Sequence, residues 1–478
     1  MRNTSSYLLL LICVAALHAD ASQEAQLRQF IRSRRNSRSD KGTFNLNNIG
    51  YKVASSLQER SYSGADQSAL KAADKIAVLP GQPDGVDFDQ YGGYVTVDVK
   101  NGRALFYYFV EAPQDAATKP LLLCLNGGPG CSSLGYGAMQ ELGPFRVNSD
   151  NKTLSRNKDA WNNAGVGFSY SNTSSDYDHS GDQRTADDSY LFLVNWLERF
   201  PEYKDRPFYI SGESFAGHFV PELAATILIQ NSYNMKATIN LRGILVGNPL
   251  LDWNMNSKGG LHYFWSHGVI SDEVFANITK NCNFDASDGA VCEDAWDAFD
   301  AGQINGYNIY APICIDASDG SYYPSGYLPG YDPCSDYYTY AYLNDPTVQN
   351  AFHARMTKWT GCAGLHWNDA PISMVPTIEW LIEKKLPVWI FSGDFDSACP
   401  LPAMRYSIHD LDLQVTTPWR PWTVNMEVGG YVQQYTGGFT FASVRGAGHL
   451  VPSYQPERAI ILLDSFLKGV LPPYVPVQ

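Results

Sequence analysis

Charge is scarce in this sequence. Charged residues fill 18% of its 478 positions, against about 25% in an average soluble domain, while apolar residues reach 44%. Such a chain can bury a large core, which excludes intrinsic disorder, collagen and a small disulfide scaffold. Positive charge is scarcer still: 35 Lys and Arg face 49 Asp and Glu, a formal net charge of −14. No basic stripe compensates, which argues against nucleic acid as a partner, because phosphates are neutralised by clustered Lys and Arg. No apolar run is long enough to cross roughly 30 Å of hydrocarbon. No GK[ST] follows a glycine-rich loop, as a phosphate loop requires, and no CxxC or Cys/His spacing suggests a metal. No internal repeat is present, and no cofactor is implied.

What is there begins with a leader. Arg2, a polar stretch, the apolar run 7–17 and the small residues around Ala19 and Ala21 read as a secretory signal peptide over residues 1–21. The protein is therefore expected in the secretory pathway, with no membrane attachment once the leader is removed. Residues 22–75 carry ten Lys/Arg against five Asp/Glu, a balance of +5; residues 1–21 are neutral, so residues 76–478 hold −19. This stretch reads either as a removable pro-segment lying against an acidic body or as a flexible basic extension.

Removing Cys13 with the leader leaves eight cysteines, which an oxidising compartment invites to pair. Cys282 with Cys292 and Cys314 with Cys334 would close short loops. Cys124, inside the run LLLCL, reads as a buried free thiol. Sequons at Asn151, Asn172 and Asn277 fit glycosylation, alongside the chance occurrence of so short a pattern.

Apolar runs at 121–125, 207–210, 244–246 and 388–391, each bounded by small or polar residues, read as buried parallel strands. Between the first two, Leu191, Val194 and Leu197 recur at helical spacing. Strands alternating with helices predict an α/β fold, a mostly parallel sheet with helices on both faces. Its core falls in two parts, 76–252 and 346–478. The intervening residues 253–345 are rich in Gly, Asp, Asn and Tyr and read as an insertion over the strand ends, where open α/β sheets bind ligands.

Three loops carry chemistry. Residues 208–217, FYISGESFAG, run from a strand into a helix-like stretch and place Ser214 on an elbow, although Ala216 stands where a strict GxSxG has its second glycine. An ordinary strand-to-helix turn is the bland alternative. Downstream, SGDFD (392–396) and RGAGH (445–449) follow apolar runs, so Asp394 or Asp396 and then His449 supply the acid and base in the order this architecture uses. His353, His366 and His409 read as helix or loop residues. NGGPGCSS (126–133) exposes consecutive backbone N–H groups after a strand, as an oxyanion site requires.

NGGPGCSS, GVGFSYS, GESFAG with HFVPELA, SGDFD and RGAGHLVP, in this order, resemble the serine carboxypeptidase family of α/β hydrolases, and most closely its plant members. The likeness spans residues 76–478. It implies removal of C-terminal residues from peptides and proteins through an acyl-enzyme. Ser214 is then the nucleophile, His449 the base and Asp396 its orienter, with Gly128 and Phe215 giving the oxyanion N–H groups. Asn126, Gly127, Glu141 and Glu213 match the group that binds the substrate carboxylate. Two adjacent carboxyls that share one proton can donate to that carboxylate, which implies an acidic working pH. The likeness pairs Cys131 with Cys362, Cys282 with Cys292 and Cys314 with Cys334, leaves Cys124 and Cys399 free, and allows a vacuolar or extracellular destination and a homodimer.

Three departures accompany the likeness. GESFAG stands for GESYAG. Cys124 takes a strand position where relatives usually carry Trp, which predicts a void costing about 3–5 kcal/mol unless refilled. Relatives also place an apolar strand between the Trp-Asn pair and GVGFSYS, whereas here Trp161-Asn162-Asn163-Ala164 meets Gly165 directly. A core strand is therefore expected to be missing, with backbone groups left unpaired beside it. Two other readings stand beside the peptidase: acyl transfer from glucose esters, against which Glu213 and Ala216 speak, since such relatives carry Asp and Ser there, and an impaired isoform. Hydroxynitrile lyase activity is weaker.

Overall fold

The structure, a computed structural model, describes residues 66–161, 168–233, 239–284, 292, 296, 300–317, 321–363 and 365–475. The expected leader and residues 22–65 of the basic stretch lie outside the described residues. Residues 66–75, grouped with that stretch by composition, belong instead to the folded body. Helix α1 (Gln67–Ala73) is capped by the Asp66 side chain, and strand β1 (Lys75–Ile76) pairs with β2 (Gln90–Asp98). Asp74 explains the difference: its buried Oδ2 accepts from Tyr107 Oη at 2.6 Å and Arg199 Nη1 at 2.7 Å. A buried charge paired this way ties the segment to the core.

Each expected strand forms, the first with the bounds of its apolar run and the other three running on past theirs: β4 (Leu121–Leu125), β5 (Phe208–Glu213), β6 (Leu241–Gly247) and β7 (Val388–Gly393), followed by β8 (Val415–Val424), β9 (Glu427–Tyr435) and β10 (Phe439–Val444). They make one seven-stranded sheet in the order β8-β9-β10-β7-β6-β5-β4. Strands β4, β5, β6, β7 and β10 are parallel, and β8 and β9 add an antiparallel edge. The runs are continuously apolar because both faces are covered, and β7 and β10 are buried at every position.

Alternate side chains serve opposite faces. Leu121 and Leu123 join a core formed with helices α2 (Asp182–Arg199), α3 (Ala216–Tyr233), α4 (Val375–Glu383) and α5 (Leu401–His409). Leu122 and Cys124 point to the other core, under α6 (Pro456–Lys468). No helix among the described residues is long and apolar enough to cross a membrane.

The sheet stops at β4. The preceding strand, β3 (Arg103–Val110), pairs with β2 in a separate antiparallel sheet of order β1-β2-β3. Among the described residues no strand stands between β3 and β4, and β4 pairs with β5 alone. Part of the open edge of β3 is refilled: Ala104 and Tyr170 exchange backbone hydrogen bonds of 2.9 and 3.0 Å, and Phe106 N donates to Ser169 Oγ at 3.0 Å. The two sheets share one core across this break. Tyr91 packs on Phe200, and Tyr107 and Phe109 pack on Trp196, with ring centroids 5.1 to 6.3 Å apart.

Cys124 is buried and free. Beside it a cavity walled by Trp161, Ser211, Glu141 and Phe391 leaves about 20 Å³ for water centres, room for about one molecule. The space expected beside the small side chain is thus present as a pocket that Cys124 itself lines.

Candidate active site

The carboxyl ends of β4, β5, β6, β7 and β10 bring the site together. Ser214, the residue after β5, has φ of 64°, a left-handed conformation that costs a non-glycine residue energy and needs support. Its N–H donates to Gly247 O at 3.1 Å, and its carbonyl accepts from Gly217 N and Leu250 N, both at 2.9 Å. The elbow also needs small neighbours: a Cβ on Gly212 would lie 2.7 Å from Ala216 Cβ and 2.6 Å from Val220 Cγ2. Ala216 therefore fits where the strict motif has glycine.

His449 and Asp396 meet past β10 and β7, with His449 Nδ1 2.8 Å from Asp396 Oδ2 and both residues buried. That oxygen also accepts from Asn248 Nδ2 at 2.7 Å and Cys399 N at 3.2 Å, while Oδ1 accepts from Ala398 N at 2.8 Å. The carboxylate is thereby held in one orientation. Asp394, the first acid of the motif, does not reach the histidine; its Oδ1 accepts from Gly446 N at 2.6 Å and joins the two loops. His449 Nε2 has no hydrogen-bond partner among the described residues, and His449 and Ser214 line one pocket. A proton could pass there from Ser214 Oγ to Nε2 as the hydroxyl attacks a carbonyl.

The same pocket is lined by Asn126, Gly127, Gly128 and Glu213. A Cβ on Gly127 would fall 2.3 Å from Phe215 N and 2.8 Å from Ser214 Cβ, so the loop after β4 lies backbone-to-backbone against the elbow. This contact gathers Gly128 and Phe215, the two expected N–H donors. Asn126 Nδ2 donates to buried Glu141 Oε1 at 2.8 Å. Glu213 is held well above the usual carboxylate range, first by burial and then by the negative charge of Glu141, against the opposing Asn126 amide. Such a pair retains a proton where an isolated carboxyl would lose it.

Bridges join Cys131 to Cys362 at the pocket wall, Cys282 to Cys292 and Cys314 to Cys334, leaving Cys124 and Cys399 free and buried. The asparagines of all three sequons, Asn151, Asn172 and Asn277, are exposed. His353, His366 and His409 do not line the pocket.

Sequence reasoning missed three features. Asn248 follows β6, and its strand-end position was the available signal. Tyr307 comes from the 253–345 insertion and stacks on His449 with centroids 4.6 Å apart and planes at 8°, its carbonyl accepting from His449 N at 2.6 Å. Among the described residues, buried Asp182, His218 and Glu222 are spaced to hold a metal ion, with one candidate ligand atom of each within 4.8 Å of the others. They lie behind the elbow, scattered over two helices with no motif to flag them.

A mostly parallel sheet covered on both faces, with serine, acid and histidine past three of its strand ends, defines an α/β hydrolase. Residues 80–469 match the serine carboxypeptidase family, and the chain belongs to that family of hydrolases. Serine carboxypeptidase-like 40 of Arabidopsis thaliana is 46% identical over 483 residues, covering 96% of this chain and 95% of its own. Serine carboxypeptidase 24 of the same plant is 45% identical over 449 residues, covering 86% and 96%. The crystal structure of a prohormone-processing carboxypeptidase from Saccharomyces cerevisiae superposes with a TM-score of 0.68 at 23% identity, covering 84% of this chain and 97% of that one. At that identity the likeness is one of fold.

Proposed function

We propose that this chain is a serine carboxypeptidase that releases C-terminal amino acids from peptides and proteins at acidic pH. Ser214 Oγ attacks the scissile carbonyl, His449 takes its proton and returns it to the leaving amine, and Asp396 orients His449. The N–H groups of Gly128 and Phe215 face the oxyanion. Water then attacks the acyl-enzyme, again with His449 as base. Asn126, Gly127 and the Glu141/Glu213 pair hold the terminal carboxylate, the pair donating through its shared proton.

The observation that carries this reading is the Glu213 carboxyl beside Ser214, pushed up by burial and by the charge of Glu141. Neutral acid at that position suits a free carboxylate and would repel it once ionised. An acyl donor without a carboxylate, such as a glucose ester, has no use for it. The exposed sequons and the leader fit a glycosylated protein of the secretory pathway, vacuolar or extracellular.

The division of the sheet at β4 favours a second reading, an isoform that folds but is catalytically impaired. One experiment separates the two: amino-acid release from a blocked dipeptide at about pH 5, beside its C-terminal amide and a Ser214→Ala control. Ser214-dependent release that prefers the free carboxylate supports the peptidase. A cooperatively melting protein that releases nothing sinks it for this chain.

A further inference from the structure

Behind the elbow lies a second His–Asp pair that the proposed chemistry does not use. His218 Nδ1 is 2.8 Å from Asp182 Oδ2, and the other Asp182 oxygen accepts from Trp367 Nε1 at 2.7 Å. Asp182, His218 and Glu222 are all buried. Glu222 sits one helical turn after His218 on α3, yet neither of its oxygens accepts a hydrogen bond, and His218 Nε2 is also unpartnered among the described residues. Unsatisfied buried groups on two neighbouring residues call for a ligand or a proton. Asp182 already receives one donor on each oxygen at ordinary distances, and His218 presents Nδ1 to it as a donor would. A cation at that nitrogen would have to displace the hydrogen bond.

We propose that Glu222 is a neutral acid that donates its proton to Asp182, and that the Asp182–His218–Glu222 cluster positions Phe215, the residue whose N–H faces the oxyanion. The route to Phe215 is direct. The His218 ring lies flat on the Phe215 ring, with centroids 4.5 Å apart and planes at 9°, and His218 N donates to Phe215 O at 2.9 Å. Asp182, at the start of α2, thus fixes a ring on α3 that fixes the residue after Ser214. Burial, then the charges of Asp182 and Asp369, push Glu222 well above the usual carboxylate range. Around the cluster, among the described residues, stand the uncharged rings of Trp367, Trp253 and Phe219 and the carboxylate of Asp369, which accepts from Asp182 N and Gln183 N; none of these four is a cation. His218, Asp182 and Glu222 are positioning residues, acting through Phe215.

The positioning half rests on the carboxypeptidase reading, so the test uses an ester, which needs Ser214 and the oxyanion site but not the carboxylate group. The first arm is melting temperature against pH for wild type and Glu222→Gln. A raised carboxyl binds its proton more tightly folded than unfolded, so its contribution to stability is full below the unfolded value near 4.5 and is lost as pH rises. The amide donates to Asp182 without titrating. Wild type is therefore expected to lose several degrees more than Glu222→Gln between pH 5 and pH 7, with no metal in the purified protein. An equal loss in both, or about one divalent ion per chain that Glu222→Gln fails to retain, overturns the shared proton.

The second arm is the acylation burst with p-nitrophenyl acetate. His218→Ala is expected to slow acylation about tenfold at unchanged ester affinity, the mark of an interaction made in the transition state, while Glu222→Gln stays within about twofold of wild type. Acylation unchanged in a folded His218→Ala protein, or a tenfold loss in Glu222→Gln, overturns the positioning role. A wild type without esterase activity counts against the carboxypeptidase reading, and the melting arm still decides the cluster.

Discussion

Asn248 Nδ2 and His449 Nδ1 converge on one oxygen of Asp396, at 2.7 and 2.8 Å. The amide thus competes for, and orients, the carboxylate that orients the base. Replacing Asn248 by Ala leaves Asp396 short of one donor inside a dry site, where a hydrogen bond to a charged group is worth about 1.5–3 kcal/mol. A loss of roughly 10- to 100-fold in kcat/KM on a blocked dipeptide is expected, carried by kcat. Steady-state kinetics beside a melting curve checks it, and an unchanged kcat in a stable variant would refute the assignment.

In the proposed mechanism the Glu141/Glu213 pair sets the pH behaviour of substrate binding. Glu213 lies well above its ordinary value, so the pair keeps its proton at acidic pH and loses it as pH rises through that raised value. KM for a dipeptide with a free carboxylate is expected to climb on the alkaline side, up to about tenfold per pH unit, while KM for the amidated dipeptide stays level. Glu213→Gln keeps a donor with no proton to lose, so its KM should stay flat further into the alkaline range. A pH profile of KM for the two substrates tests this directly.

Gly127 is needed for space. An alanine there would place its Cβ 2.3 Å from Phe215 N, against backbone that cannot turn aside. Overpacking of this kind costs about 1–3 kcal/mol, and here it also displaces the N–H proposed to face the oxyanion, a kind of donor worth about 10²–10³ in kcat. Gly127→Ala should therefore lose activity far beyond its loss of stability. Thermal melts and kcat measured on one preparation compare the two losses.

Among the described residues, strand β4 has one partner strand and β5 has two. Amide hydrogen exchange should therefore release Leu121–Leu125 before Phe208–Glu213, by roughly tenfold or more in protection, because an edge opens without breaking a second ladder. Equal protection in the two strands would show that a further segment pairs with β4.

Most of the site was legible because its members sit where short patterns and strand ends coincide. Ser214, Asp396 and His449 each follow an apolar run, and the glycines at 127 and 128 announce the loop beside them. Choosing Asp396 over Asp394 took the family likeness, since both follow the same strand; in space only the Asp396 carboxylate meets the histidine. Asn248, Tyr307 and His218 were hidden for a different reason. Their roles depend on which elements pack together, and no local spacing records that Tyr307 from the insertion lies on His449, or that α2 delivers Asp182 to a ring on α3. Composition also grouped residues 66–75 with the basic stretch, whereas a buried ion pair, Asp74 with Arg199, ties that short segment to the folded body.

The break between β3 and β4 falls on one side of everything the chemistry uses. Each residue given a role in bond making, from Asn126 to His449, hangs from β4 or from strands beyond it, and the β1-β2-β3 sheet supplies none. The break works like a seam in a garment: the shell on one side is fastened by aromatic rings and by the Ala104–Tyr170 stitch, while the working part on the other side is cut from a single piece.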